Sequence, residues 1–324
     1  MSILLLSVVG IVGLSILGAI LFALLFFALL GEILLAVSLK RCAFAGKKVE
    51  KEMIDNKDFY KIDYEYFDNF NLEELTIITY DSKKLYPVLI KQKQRTNKVA
   101  IIIHGYYANF KDMSAYAKLF YELGYNLVLT QNRAHGKSEG KYIGMGWLDR
   151  LDVLQTIHEV IARFGKNCEI DLFGLSMGGA TVCMLSGEDL PSNVKHIISD
   201  CAYACPYEVF KTVYETRVNF LSKPILNYLN YYAKLKCGYS LKNADARTKI
   251  CNAKVPILLI HGEEDKFVPY ENLQILYESA PKNLRYKKTF KGARHAESLP
   301  LNEEEYKNLV KNFLADNFDK LNLD

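Results

Sequence analysis

The sequence predicts an α/β protein: a mostly parallel central sheet with helices on both faces, a helical insertion late in the chain, and a transmembrane helix in front. Three observations predict it. Short aliphatic and β-branched runs alternate with segments of helical periodicity along most of the 324 residues. One such run, residues 99–104 (Val-Ala-Ile-Ile-Ile-His), is apolar throughout its first five positions, as a strand buried on both faces must be. No charged residue occurs from Ser2 to Gly31, and that run exceeds the roughly 20 residues that span a bilayer.

The apolar head, residues 1–40, is assigned to a single membrane-spanning anchor, so the lipid bilayer is one expected partner. A soluble core helix would have to be apolar on every side at the very start of the chain. A cleaved signal peptide is the stronger rival, since Ala43-Phe44-Ala45 resembles a cleavage site. Yet the stretch is about twice an ordinary signal core, and no Lys or Arg precedes it. No lipobox-like small residues precede Cys42. Lys40, Arg41, Lys47 and Lys48 follow the helix, whereas only the α-amino group precedes it. The positive-inside rule then places the body in the cytoplasm, at the cell membrane.

Residues 41–72 read as a charged and aromatic connector, with Glu50, Glu52, Asp55, Asp58 and Asp63 among Lys and Tyr. Residues 73–324 read as one domain. Segments 75–80 and 85–92 are strand-like and close enough for a hairpin. Residues 99–104 follow as a buried strand, then a helix over 112–123 stopped by Gly124, and a strand over 125–130. Residues 147–164 form the clearest helix, because Trp147, Leu151, Leu154, Ile157, Ile161 and Phe164 recur at helical spacing. Strands over 169–173, 194–199, 255–261 and 285–290 alternate with helices over 246–253, 273–279 and 303–318. Residues 207–239 break the alternation, being about twice as long as a crossover needs. Their tyrosines and phenylalanines suit either a surface excursion packed on the body or a lid, about 207–242, over a pocket.

Composition narrows the function. A net charge of +4, with basic residues scattered rather than striped, argues against a nucleic-acid partner. Seven cysteines without a C-x-x-C pair or a regular framework disfavour disulfides. Cys201 and Cys205 have no nearby histidine to complete a zinc set and read as small buried residues.

The chemistry centres on Gly174-Leu175-Ser176-Met177-Gly178-Gly179, a G-x-S-x-G element between strand and helix. A sharp turn there lifts the Ser176 hydroxyl out of the sheet, and flanking glycines remove Cβ atoms that would clash. The Met177 N–H then opens a helix and suits an oxyanion. A serine hydroxyl needs a base. His104, His135, His261 and His295 all lie at strand ends or in loops after strands, whereas His158 and His196 lie within elements and read as structural. Only His295 follows both the serine and an acid candidate, in the order Ser…Asp…His. The acid is Asp265, directly after a buried strand, with Asp200 as rival and a helix-capping role for Asp265 as the plain alternative.

With these residues the body resembles the α/β-hydrolase superfamily of serine hydrolases over about residues 73–320. The resemblance is carried by His104-Gly105, Arg133-Ala134-His135-Gly136-Lys137-Ser138, the Gly174–Gly179 elbow, His261-Gly262 with Asp265 and Val268-Pro269, and Gly292-Ala293-Arg294-His295. More narrowly it resembles bacterial membrane-anchored hydrolases related to serine aminopeptidases and prolyl-oligopeptidase catalytic domains. The resemblance implies Ser176 as nucleophile, His295 as base and acid, Asp265 as orienting acid, and Tyr106 beside Met177 as the second oxyanion donor. It also puts a lid where residues 207–239 stand. The chain departs where the family often has Asp and this sequence has Gln131-Asn132, which puts a local hydrogen-bond network in question. The activity implied is hydrolysis of an acyl ester, or alternatively of a short peptide, with no metal or organic cofactor. A binding protein on a hydrolase fold is the non-enzymatic alternative.

Overall fold

The computed structural model describes residues 2–41, 55–321 and 323. Cys42, the Ala43-Phe44-Ala45 site, Lys47, Lys48 and the first part of the expected connector lie outside the described residues.

The main sheet is built from β1 (Glu73–Glu74), β4 (Val88–Ile90), β5 (Lys98–Ile103), β6 (Asn126–Leu129), β7 (Glu169–Leu175), β8 (Val194–Asp200), β9 (Ile257–Gly262) and β10 (Arg285–Phe290). Their order is β1-β4-β6-β5-β7-β8-β9-β10. β4 runs antiparallel to both neighbours, and β6 through β10 are parallel. β5 shows why its sequence is apolar without alternation. Val99, Ile101 and Ile103 face one core while Ala100 and Ile102 face the other.

The expected hairpin is present in divided form. β2 (Ile77–Ile78) and β3 (Lys84–Leu85) pair as a separate two-stranded sheet, with Ile77 opposite Leu85. Pro87, which has no N–H to donate, separates that pair from β4. Its carbonyl still accepts the Leu75 N–H at 2.9 Å.

Helices cover both faces. α2 (Ser114–Glu122) and α10 (Glu303–Phe313) bury Tyr116, Phe120, Tyr306 and Phe313 on one side. α3 (Asp149–Phe164) and α4 (Met177–Leu185) lie on the other, where α3 buries Val153, Ile157 and Val160. α3 begins two residues after Trp147, because Gly146 turns the chain at φ +78° and donates its N–H to the Asp149 carboxylate at 2.8 Å. The insertion forms two helices, α5 (Pro206–Val218) and α6 (Ser222–Cys237), joined by a 3-10 corner at Asn219–Leu221. Short α7 (Arg247–Ile250), α8 (Glu271–Ser279) and α9 (Ser298–Leu301) fill the remaining crossovers.

The N-terminal helix α1 (Ser2–Ser38) is long and apolar enough to cross a membrane. Every residue from Gly10 to Leu29 is exposed, whereas Leu34, Leu35 and Leu39 are buried in the same core as α3 and α4. The end of α1 therefore belongs to the body: the Ile143 N–H donates to the Leu39 carbonyl at 2.8 Å, and the Arg41 N–H to Lys141 at 2.9 Å. Chain from the connector also packs inward. A 3-10 helix over Tyr64–Asn69, capped by the Asp63 carboxylate, buries Phe67 completely.

Candidate active site

The site starts at the end of β7. Ser176 has φ +57° and ψ −114°, a conformation that L-residues avoid, and its N–H is held by the Asp200 carbonyl at 2.8 Å. The turn is possible because of its neighbours. A Cβ on Gly174 would stand 2.1 Å from the Gly178 carbonyl oxygen, and one on Gly178 would stand 2.1 Å from the Ile103 carbonyl oxygen. Tyr107, Cys201 and Ala296 also adopt positive φ, in the loops around the elbow.

Three sequence-predicted residues meet here. The Ser176 hydroxyl lies 2.9 Å from His295 Nε2, and His295 Nδ1 lies 2.7 Å from Asp265 Oδ2. With the proton on Nδ1, donated to the carboxylate, Nε2 is free to accept from the serine. Asp265 is fixed from its other side, where Oδ1 accepts the N–H groups of Phe267 and Val268, each at 2.9 Å. Burial works to raise the Asp265 pKa, but the charge of His295 and hydrogen bonds from His261 and His295 outweigh it and hold the carboxyl well below its ordinary range. Asp200 is not brought to His295. It accepts from the Tyr306 hydroxyl at 2.9 Å, and burial pushes its pKa up to about 6.

The other strand-end histidines prove to be braces. His104 Nε2 accepts the Asn132 N–H at 3.1 Å, and its Nδ1–H points to the Gly105 carbonyl at 2.8 Å. His135 Nε2 accepts the Tyr107 N–H at 3.0 Å while Nδ1–H donates to the Arg133 carbonyl at 2.9 Å. Both rings are therefore neutral, and burial lowers their pKa values to about 3 and about 4. His261 Nε2 donates to the Val268 carbonyl at 3.0 Å and lies 3.3 Å from Asp265 Oδ2. His196 joins Asp171 at 2.8 Å and Asp316 at 3.0 Å, away from the serine. His158 is exposed on α3.

The Gln131-Asn132 departure leaves the network complete. Asn132 Nδ2 donates to the His104 carbonyl at 3.1 Å, and its Oδ1 accepts from Thr130 at 2.8 Å. Gln131 Oε1 accepts the Lys137 N–H at 3.2 Å. Arg133 anchors the same loop through a buried two-pronged contact with Asp152, both bonds at 2.6 Å.

His104-Gly105-Tyr106 lies against the elbow, since a Cβ on Gly105 would be 3.5 Å from the Ser176 Cβ. The Tyr106 N–H follows Gly105, and the Met177 N–H is the first of α4. Among the described residues, neither is paired with a protein acceptor. The same loop is tied to the end of α1. The Tyr106 hydroxyl donates to the Ser38 carbonyl, and the Tyr107 hydroxyl donates to the Lys40 carbonyl at 2.8 Å. Sequence patterning gives no sign of this tie, because it joins positions nearly seventy apart.

A cavity of about 230 Å³ opens at Ser176 and His295, walled by Ala108, Tyr116, Leu175 and Phe267. Tyr60 and Ile62, from the expected connector, complete it. A larger hollow of about 430 Å³ lies beneath α5 and α6, among Lys211, Lys242, Arg247 and Glu208, and no histidine borders it.

Comparison with known proteins agrees with this architecture. The sequence profile of the family described as serine aminopeptidase, S33, matches residues 94–230. The chain is 26% identical to YqkD of Bacillus subtilis over 275 residues, 84% of this chain and 88% of that protein. Among solved structures it is similar to the Pyrococcus furiosus esterase Pf2001, with a TM-score of 0.62, 22% identity, and coverage of 81% of this chain and 93% of that one. It is also similar to the Pyrococcus horikoshii acylaminoacyl peptidase, with a TM-score of 0.56 and 20% identity, covering 76% of this chain and 41% of that one. The chain has the α/β-hydrolase fold, and its matches include a serine aminopeptidase profile, an esterase and an acylaminoacyl peptidase.

Proposed function

We propose that this is a membrane-anchored acyl-ester hydrolase that works through Ser176, His295 and Asp265. The observation that carries the reading is the unbroken relay from the Ser176 hydroxyl through His295 to Asp265, at 2.9 and 2.7 Å. Ser176 attacks the ester carbonyl while His295 Nε2 takes its proton. The N–H groups of Met177 and Tyr106 hold the oxyanion. His295 then gives the proton to the leaving alcohol, and water releases the acyl-enzyme by the same steps. Asp265 keeps the imidazole in the required tautomer and offsets its transient charge.

An ester is favoured by the apolar wall of the cavity, where Ile62, Ala108, Leu175 and Phe267 suit an acyl chain. The esterase name of the Pyrococcus furiosus structure points the same way. A short-peptide reading is supported by the serine aminopeptidase profile and the acylaminoacyl peptidase among the matches. Retention of α1 as an anchor is supported by Leu34, Leu35 and Leu39, which a cleaved leader would strip from the core.

Ser176→Ala should lower hydrolysis of p-nitrophenyl esters by at least roughly 10⁴-fold and abolish fluorophosphonate labelling. Survival of both would end the assignment. A panel of esters of graded chain length beside aminoacyl anilides decides between substrates: faster turnover of the anilides would replace the ester reading with the peptide one.

A further inference from the structure

The second helix of the insertion is apolar on two faces. Leu226, Leu229 and Ala233 pack into the core. On the opposite side Pro224, Tyr228, Tyr231 and Leu235 follow at intervals of four, three and four, which places them on one stripe of the helix. Tyr231 is 62% exposed and Leu235 63%, and Phe220 at the α5–α6 corner is 82% exposed. Lys223, Lys234 and Lys236 border the stripe, and α6 contains no acid.

This stripe adjoins α1 at the point where α1 turns from exposed to buried. The Tyr228 ring lies 5.8 Å from the Phe27 ring, and its hydroxyl donates to the Phe27 carbonyl at 2.5 Å. One turn on, the Tyr232 hydroxyl and Lys236 Nζ reach the Glu32 carboxylate at 3.3 and 3.7 Å. Glu32 is the first charge of the chain, so it marks the level at which α1 leaves an apolar surrounding. The exposed segment of α1, Gly10–Leu29, is about 30 Å long at 1.5 Å per residue, the thickness of a hydrocarbon core.

We propose that the outward face of α6 and the Asn219–Leu221 corner dock into the headgroup boundary of an anionic lipid leaflet, the leaflet from which α1 emerges. The proposal rests on the anchor reading above. Whatever covers Phe27 also reaches Tyr228 and Tyr231, since the apolar surface is continuous between the two helices. Tyrosine rings suit the boundary layer, and Lys223 and Lys234 complement phosphate, while Lys236 is held by Glu32. The insertion thereby fixes how the body and its cavity stand on the bilayer.

Quenching of tryptophan by acyl-brominated lipid tests this with the full chain in phosphatidylcholine–phosphatidylglycerol vesicles. Trp147→Phe provides the background. On it, Ile20→Trp reports α1, Tyr231→Trp reports α6, and Lys282→Trp reports an exposed position just ahead of the edge strand β10. A cooperative thermal melt in detergent shows that each variant is folded. Ile20→Trp and Tyr231→Trp should each lose about half their emission or more, since an interfacial helix sits about 5–10 Å deep, while Lys282→Trp stays bright. Changing Lys223 and Lys234 to Gln should weaken the quenching at Tyr231→Trp. If Ile20→Trp is quenched and Tyr231→Trp is not, the docking of α6 is wrong and the anchor stands. If neither is quenched, the anchor reading itself falls. Equal quenching at Lys282→Trp overturns the proposal too, because the contact would then not be specific to α6.

Discussion

A neutral imidazole in a buried brace makes the loop beside Ser176 sensitive to acid. His104 and His135 each spend Nε2 as an acceptor for a backbone N–H, so protonation at that nitrogen breaks the bond that shapes the loop. Burial puts their folded values at about 3 and about 4, against about 6.5 in the unfolded chain. Above the unfolded value both states are neutral and the braces stabilise fully. As pH falls below it, the unfolded chain takes up protons that the folded chain refuses, so stability is lost progressively toward the folded values. By pH 5 the loss is about 2 kcal/mol for each histidine. His135→Gln keeps an acceptor for the Tyr107 N–H without the titration. Its unfolding free energy should therefore fall about 2 kcal/mol less than that of the unsubstituted protein between pH 7 and pH 5. Equal slopes in denaturant titrations at the two pH values would show that His135 is not held neutral.

The end of α1 from Gly31 behaves as a core element and Gly10–Leu29 does not, and substitutions should divide accordingly. Leu35 is fully buried, so Leu35→Ala should cost about 2–5 kcal/mol in a detergent melt. Leu24 is exposed, and Leu24→Ala should leave the same melt unchanged. A flat response at Leu35 would mean that α1 does not dock. This division was not legible in the sequence, because lipid-facing and core-facing leucines read alike in an unbroken apolar run. The elbow was legible for the opposite reason: Gly174, Ser176 and Gly178 are constrained within one turn, so their spacing alone carries the geometry. Asp265 and His295 could be ranked because each follows a recognisable strand. His104 and His135 were set below His295 by chain order alone, and their bracing role was not legible, since a brace and a base both end strands. The roles of Tyr60 and Ile62 in the cavity stayed hidden because charged residues surround them, and their contacts are with chain far away in sequence.

Across the whole molecule, the distribution of charge predicts on which side of the membrane the body stands. Lys40 and Arg41 end α1, and α6 packs against that end, so Lys223, Lys234 and Lys236 stand on the body's side as well. From this set the positive-inside rule predicts a cytoplasmic body. Among the described residues all six cysteines are free, and four of them are buried, with burial raising the pKa of Cys183 to about 12. A fluorescent-protein reporter fused after Asp324 should therefore be bright, and an alkaline phosphatase fused at the same point should be silent. The intact mass of the membrane-extracted chain should include α1, because its removal would expose the pocket of Leu35 and Leu39 and free the hydroxyls of Tyr106 and Tyr107 beside the site. An active phosphatase would invert the topology. A mature chain beginning after Ala45 would turn α1 into a leader, and the body would then have to fold without the helix end that Tyr106 and Tyr107 now hold.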